Sequence, residues 1–190
     1  MSASEYWKIR FGEHSDHHST QNTQISEDFI KKNYYDDLFQ STNKILEVGC
    51  GTGELSKMLS DKYDKEVIGL DLSEEAILFA NHNYGSDKLK YYAVDCLNES
   101  ISHKIGDDFD IAICSNTLEH FKNPYILIDK ILKVSKVLII LVPYKQPLKD
   151  GYSDEGGAGH VFMFDEESFS NYILIDPKSI IKDLLLTEFC

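Results

Sequence analysis

Short apolar runs alternate along the chain with longer segments of helical periodicity. The runs are continuous rather than alternating, which is typical of strands that are covered on both faces of a sheet. Five strands are predicted, at residues 44–48, 66–71, 89–94, 109–115 and 137–142. Helices are predicted at residues 27–39, with Ser26 as the N-cap, and at 53–62, 74–83 and 124–131, and another begins near Asp165. This order predicts an α/β fold with a doubly wound, mostly parallel sheet and helices on both faces.

The length of 190 residues favours a single domain, residues 1–190. Residues 1–40 are predicted to form an amino-terminal lid and helix, and residues 41–145 a cofactor-binding core. Residues 146–190 would supply a substrate-side loop and the carboxyl-terminal elements. The tail from residue 172 has two apolar stretches, which predict either a strand pair or a strand and a helix. A short or incomplete last strand pair would leave an apolar edge, and an exposed edge favours a homodimer.

Composition narrows the classes of partner. The chain has 32 acidic and 19 basic residues and a formal charge of −13, so a nucleic acid backbone would be repelled. No apolar run approaches the ~18–20 residues of a membrane span. The first residues lack the basic and apolar regions of a signal peptide. Four widely spaced cysteines without a C-x-x-C pair favour a reduced, cytoplasmic protein.

A glycine-rich turn follows the first predicted strand, with glycines at Gly49, Gly51 and Gly53. Such glycines allow the backbone to approach a ligand, and the next helix points its first N–H groups at the same place. The third glycine of a dinucleotide fingerprint would fall at Glu54, which argues against an NAD(P) site. Glu47 is a poor neighbour for a pyrophosphate but suits a cation. An adenosyl cofactor that carries an amino acid and a sulfonium meets that requirement.

Asp71 stands at the end of the second predicted strand. A carboxylate there can accept hydrogen bonds from both hydroxyls of a ribose. The alternative role is a helix cap, but Ser73 is better placed to cap the helix that follows.

Four motifs stand in order over residues of about 40–145: residues 47–53, 69–73, 94–96 and 109–120. In these motifs the chain resembles the class I S-adenosylmethionine-dependent methyltransferases. The resemblance implies that Asp71 binds the ribose, that Asp95 binds the adenine amino group with Cys96 beside the ring, and that the glycines contact the amino-acid end. The full set of cofactor-binding residues that it implies is Glu47, Gly49, Cys50, Gly51, Gly53, Asp71, Leu72, Asp95, Cys96, Ser115, Asn116 and Leu118.

Residues 118–121, with Asn123 and Pro124, resemble the small-molecule branch of this class, similar to the enzymes of ubiquinone and menaquinone biosynthesis. A looser similarity at residues 160–169 is to members of glycan pathways. The resemblance therefore implies methyl transfer from S-adenosylmethionine, leaving S-adenosylhomocysteine, to an O or N atom of a small metabolite. The alternatives are a non-catalytic binding module and an NAD(P)-binding protein of similar fold.

Two histidines are the candidate general bases for the acceptor's proton, because an imidazole has a pKa near ~6.5. His120 lies just beyond the fourth strand, and His160 follows the glycine-rich loop. Either residue could instead only shape the pocket. His14, His17 and His18 form no complete ligand set, and no metal site is predicted.

Overall fold

The computed structural model describes residues 18–32, 35–145 and 159–173, and its centre is a five-stranded parallel sheet. The elements follow the chain in the order α1 (His18–Lys32), α2 (Asp36–Gln40), β1 (Lys44–Val48), α3 (Glu54–Tyr63), β2 (Glu66–Asp71), α4 (Glu74–Tyr84), β3 (Leu89–Ala93), α5 (Ile101–Ile105), β4 (Phe109–Ser115), a 3₁₀ turn (Leu118–His120), α6 (Pro124–Leu132), β5 (Ser135–Leu141) and α7 (Ser170–Ile173).

Both faces of the sheet are buried, which explains why its strands are continuous apolar runs. In β1, Ile45 joins one hydrophobic cluster with residues of α3 and α4. Its neighbours Leu46 and Val48 join the cluster on the other face, together with residues of α6. The predicted doubly wound α/β fold is therefore confirmed.

The strand order is β3-β2-β1-β4-β5. β1 pairs in parallel with β2 on one side and with β4 on the other, so the order reverses between β1 and β4. In sheets of this kind the crevice beyond the carboxyl ends of the strands at that reversal is the usual ligand site. The glycine turn follows β1 and the 3₁₀ turn follows β4, so both segments lie at this crevice.

The amino-terminal helix differs from its prediction. α1 begins at His18 and ends at Lys32, and the separate helix α2 follows from Asp36 to Gln40. The predicted N-cap residue, Ser26, lies inside α1 and is buried, with its hydroxyl oxygen 3.0 Å from that of Ser115. Tertiary packing against the end of β4 therefore occupies the side chain that the local pattern assigned to capping.

Two shorter helices also differ from the sequence prediction. α5 was not predicted because five residues are too few to show periodicity, and its N-cap is Ser100, whose hydroxyl accepts from His103 N. The last helix begins at Ser170 rather than near Asp165. The Asp165 carboxylate accepts from Glu167 N and from the Ser168 hydroxyl, which holds a turn ahead of that helix.

Residues 1–17 of the predicted amino-terminal lid, most of the predicted substrate-side loop and residues 174–190 of the tail lie outside the described residues, and the roles given to them stay predictions. Within the described ranges, no helix is both long and apolar enough to cross a bilayer.

Candidate functional site

The turn after β1 is closed by a residue that follows β4. Gly49 has φ +80°, and a Cβ on it would lie 2.8 Å from Thr117 Cβ and closer still to Thr117 Oγ1. Thr117 Oγ1 in turn donates to Ser115 O at 3.0 Å. The absence of a side chain at Gly49 thus lets the segment after β4 pack directly on the glycine turn.

The side chain of Tyr91, in β3, packs against the same glycine turn. Its hydroxyl donates to Gly53 O at 2.8 Å, and a Cβ on Gly53 or Gly69 would lie 2.6–2.9 Å from atoms of its side chain. Sequence analysis did not single out this residue. A signal was present, because a glycine inside a strand marks a close approach, and Gly69 pairs with Tyr91 across the sheet.

Asp71 ties the glycine turn to the end of β2. Its Oδ2 accepts from Gly51 N at 2.8 Å, and its Oδ1 accepts from Ser73 N at 2.9 Å. Burial raises the pKa of the carboxyl, while those backbone donors act in the opposite direction. A carboxylate has about four acceptor positions, so two remain for hydroxyl donors. The helix cap itself is Ser73, as predicted, since its hydroxyl accepts from Ala76 N at 3.2 Å.

Glu47 is a buried carboxyl group next to the turn, 3% exposed. Its Oε2 accepts a hydrogen bond from the Ser56 hydroxyl at the start of α3. Burial raises the pKa of Glu47 to about 8, with smaller contributions from the charges of Glu54 and Asp71. The group is therefore mostly neutral at pH 7, and an approaching cation would favour its ionised form.

The segment after β3 holds Asp95 and Cys96. The Asp95 carboxylate accepts from Leu97 N, Asn98 N and Asn98 Nδ2, and so organises its own turn. Cys96 is buried, and this raises the pKa of its thiol to about 12. Burial likewise raises the pKa of Cys50. Both thiols are packing groups rather than nucleophiles. A role for Asp95 and Cys96 at an adenine ring stays a prediction.

The chain reverses just beyond β4. Asn116 has a left-handed φ of 48°, and its N–H donates to Leu141 O at 2.9 Å. Leu118 is fully buried, and the hydroxyl oxygen of the partly buried Ser115 lies 3.0 Å from that of Ser26 in α1. Leu72, beside Asp71, is partly buried. The residues predicted to bind the cofactor thus surround one edge of the sheet, and binding itself stays a prediction.

The 3₁₀ turn is joined to the segment that begins at Gly159. Glu119 O accepts from both Val161 N, at 2.8 Å, and Phe162 N, at 3.1 Å. His120 Nδ1 lies 3.2 Å from Gly159 O, and the rings of His120 and His160 meet edge to face with their centroids 5.0 Å apart. The two histidines predicted as general bases are therefore neighbours, although about forty residues separate them in sequence.

The carboxylate of Glu119 lies beside these histidines. Its side chain is 2% exposed, and neither of its carboxylate oxygens has a hydrogen-bond partner among the described residues. Burial raises the pKa of this carboxyl to about 8. Its Oε1 lies 3.8 Å from His160 Nε2. Sequence analysis assigned no role to Glu119. Glu119 stands between Leu118 and His120 in the sequence. This local pattern does not indicate that its side chain is buried.

Comparison with known proteins finds similarity to methyltransferases, both in sequence and in fold. Residues 46–138 match the family model described as Methyltransferase domain. A ubiquinone biosynthesis O-methyltransferase from Hydrogenovibrio crunogenus is 34% identical over 113 residues, which cover 57% of this chain and 43% of that protein. The chain spans about half the length of the curated relatives that it matches.

Solved structures show the same fold. The N-terminal domain of EvdMO1 with SAH bound has a TM-score of 0.52 at 20% identity, over 63% of this chain and 48% of that one. The plantazolicin methyltransferase BpumL in complex with SAH has a TM-score of 0.51 at 22% identity, over 72% of this chain and 57% of that one.

Proposed function

Because the chain carries a class I S-adenosylmethionine-dependent methyltransferase domain, we propose that it transfers the methyl group of S-adenosylmethionine to an O or N atom of a small metabolite. The observation that carries this proposal is the convergence of the glycine turn, Asp71 and Glu47 at the reversal of strand order. The formal net charge of −13 of the chain favours a small acceptor over a nucleic acid.

The ribose, the adenine and the methionine part of the cofactor can each be assigned to residues at the crevice. We assign the two remaining acceptor positions of Asp71 to the ribose hydroxyls, and the adenine to the segment of Asp95 and Cys96. The methionine portion would lie along the glycine turn towards Ser115 and Leu118. The cationic groups at that end would favour the ionised form of Glu47, whose burial otherwise keeps it neutral.

Methyl transfer from a sulfonium is an in-line displacement: the acceptor atom forms the bond to the methyl carbon as the sulfur–carbon bond breaks, and the sulfur keeps the electron pair. Orientation of the two reactants can supply about 7–11 kcal/mol. A hydroxyl or ammonium acceptor also loses a proton. We assign this proton to His120 or His160. The carbonyl of Gly159 can only accept a hydrogen bond, so the neutral His120 carries its proton on Nδ1 and its lone pair on Nε2.

The acceptor class follows from similarity rather than from geometry. The curated relative is named for O-methylation in ubiquinone biosynthesis, and BpumL is named for plantazolicin. We propose a small organic acceptor of the metabolite or natural-product type, with sugar-linked metabolites of glycan pathways included.

Calorimetry with S-adenosylmethionine and S-adenosylhomocysteine tests the cofactor assignment. We expect both to bind, and Asp71→Ala to weaken binding about tenfold or more, because hydrogen bonds to a charged group contribute roughly 1.5–3 kcal/mol. The matched control is Asp87→Ala, at an exposed position between α4 and β3. Failure of the wild-type protein to bind either compound rejects the proposal, and an unchanged affinity of Asp71→Ala rejects only the ribose assignment.

A screen of metabolite fractions with a labelled methyl donor tests the transfer reaction. We expect label in a small organic acceptor. A protein that binds the cofactor but labels nothing in a broad panel would instead be a non-catalytic binding module.

A further inference from the structure

We propose that Glu119, His120 and His160 form a binding site for a divalent transition-metal ion of the Zn²⁺ or Fe²⁺ type. One potential ligand atom from each of the three residues lies within 4.8 Å of the others. Two imidazole nitrogens and one carboxylate oxygen form a ligand set that such ions prefer, and three protein ligands leave coordination positions open. The binding of the ion does not depend on the proposed methyl transfer, but the catalytic role given to it below does.

The separations suit a site that closes around an ion. Metal–nitrogen and metal–oxygen bonds are about 2.0–2.2 Å long, so two ligands of one ion are at most about 4.4 Å apart. Glu119 Oε1 and His160 Nε2, at 3.8 Å, are inside that limit. They are too far apart for a hydrogen bond. The remaining pairs, within 4.8 Å, require only a small side-chain movement.

The carboxylate of Glu119 provides the independent observation. Almost all buried polar atoms in folded proteins have a partner, and an exception calls for a specific explanation, of which an ion is one. Both oxygens of Glu119 are buried without a hydrogen-bond donor in the described part of the chain, and a nitrogen of each imidazole lies within 4.8 Å of the carboxylate. A cation between these three groups would satisfy the carboxylate.

The backbone around His120 already has the arrangement found behind metal ligands. A ligating histidine almost always donates its other ring N–H to a carboxylate, a carbonyl or water, and this contact fixes the tautomer. His120 has this contact through Nδ1 to Gly159 O, at 3.2 Å. Nε2 is then the nitrogen with the lone pair. Glu119 O holds the backbone of Val161 and Phe162, which keeps His160 beside the 3₁₀ turn.

An ion here would lie close to the proposed reaction. Thr117, two residues before Glu119, packs on Gly49 of the glycine turn. A hydroxyl group that coordinates a divalent ion is a stronger acid than a free one, and its oxygen is held in place. The ion would therefore orient and acidify a hydroxyl acceptor. In that arrangement the two histidines are ligands rather than general bases, so a chelator should slow methyl transfer if the ion takes part and leave it unchanged if a histidine is the general base.

Metal binding is tested on the whole chain, stripped with a chelator and dialysed against Zn²⁺, Mn²⁺ or Co²⁺ separately. We expect one Zn²⁺ per chain by elemental analysis, and visible Co²⁺ absorption that Zn²⁺ removes. Glu119→Gln and His160→Ala should each weaken Zn²⁺ binding by about 100-fold or more, because loss of even an outer partner costs about 10- to 100-fold. His82→Ala, at an exposed position of α4, should bind Zn²⁺ as the wild type does.

Binding of S-adenosylhomocysteine by each variant reports whether it is folded. If the variants do not fold, X-ray absorption of the Zn²⁺-loaded wild type replaces them, and two imidazoles in the first shell are expected. The proposal is overturned if the wild type binds no ion stoichiometrically, if full binding persists in both variants, or if the absorption spectrum lacks the two imidazoles. In the last two cases the ion lies elsewhere. S-adenosylhomocysteine binding without metal binding rejects the metal site alone, whereas metal binding without cofactor binding rejects the proposed function alone.

Discussion

The two sides of the crevice differ in how the hydrogen-bond acceptors of their carboxyl groups are satisfied. On the side of β1 and β2, Glu47 accepts from Ser56, and Asp71 accepts from two backbone N–H groups. On the side of β4, both oxygens of Glu119 lack a hydrogen-bond donor among the described residues. The first side is held together by the protein's own groups. The second side is joined to the segment that begins at Gly159 by backbone hydrogen bonds of Glu119 and by the His120 ring, while the Glu119 carboxylate has no donor among the described residues.

Because of this difference, we expect substitutions on the two sides to have different effects on stability and on ligand binding. The cofactor side depends on close backbone packing, so changes there should alter both stability and binding. The side of Glu119, His120 and His160 depends on side chains that converge without bonding directly to one another. Changes there should alter ligand binding or turnover more than stability.

The largest effect is expected for Gly49→Ala. The new Cβ would overlap Thr117, and the φ of +80° is unfavourable for alanine. We expect the free energy of unfolding to fall by about 3–5 kcal/mol and cofactor binding to be lost. Chemical denaturation and calorimetry measure both.

Gly106→Ala is the matched control, because Gly106 has a similar φ of +86° but its Cβ would meet only Lys44 Nζ, at 4.0 Å. Its ψ of −174° places it in a region that is nearly confined to glycine, so the substitution should cost only the backbone strain, about 1–3 kcal/mol. Equal losses for the two variants would show that the contact between Thr117 and the glycine turn contributes nothing.

An intermediate effect is expected for Glu47→Gln, and it depends on pH. Folding raises the pKa of Glu47 from 4.5 to about 8, so folding favours the protonated form. The contribution of Glu47 to stability is therefore fully present below about pH 4.5 and is lost as the pH rises through about 8. Wild-type stability should fall by on the order of a few kcal/mol over that range relative to Glu47→Gln, because each unit of pKa shift corresponds to about 1.4 kcal/mol. Denaturant titrations at pH 5 and pH 8.5 measure the difference.

Glu66→Gln, at an exposed position, serves as the comparison for that experiment. It should follow the wild type at both pH values. If Glu47→Gln also follows the wild type, the ionisation of the buried carboxyl does not limit stability.

The smallest effect is expected for Tyr91→Phe. The change removes the hydrogen bond to Gly53 O but keeps the ring that fills the space beside Gly53 and Gly69. We expect a loss of about 1–2 kcal/mol in the free energy of unfolding and little change in cofactor affinity. Tyr92→Phe, at the partly buried neighbouring position, should change stability less. A loss of cofactor affinity as large as that of Asp71→Ala would mean that this bond fixes the binding shape of the turn.

The parts of the site that could be predicted are those with a local signature. The strand, the glycines and Asp71 follow one another at fixed spacings, and a parallel sheet brings such segments to one edge. Tyr91 and Glu119 were missed for different reasons. Tyr91 is placed by strand register opposite Gly69. The surroundings of Glu119 come largely from residues 159–162, about forty positions along the chain.

The sequence by itself determined the sheet, the glycine turn and the carboxylates beside it, because buried parallel strands and positive-φ turns leave local patterns of apolar residues and glycine. Tertiary structure alone decided the neighbours of Glu119. It also moved Ser26 from a predicted helix cap to a contact with Ser115. These arrangements depend on segments far apart in the chain that meet only when the sheet orders its strands as β3-β2-β1-β4-β5.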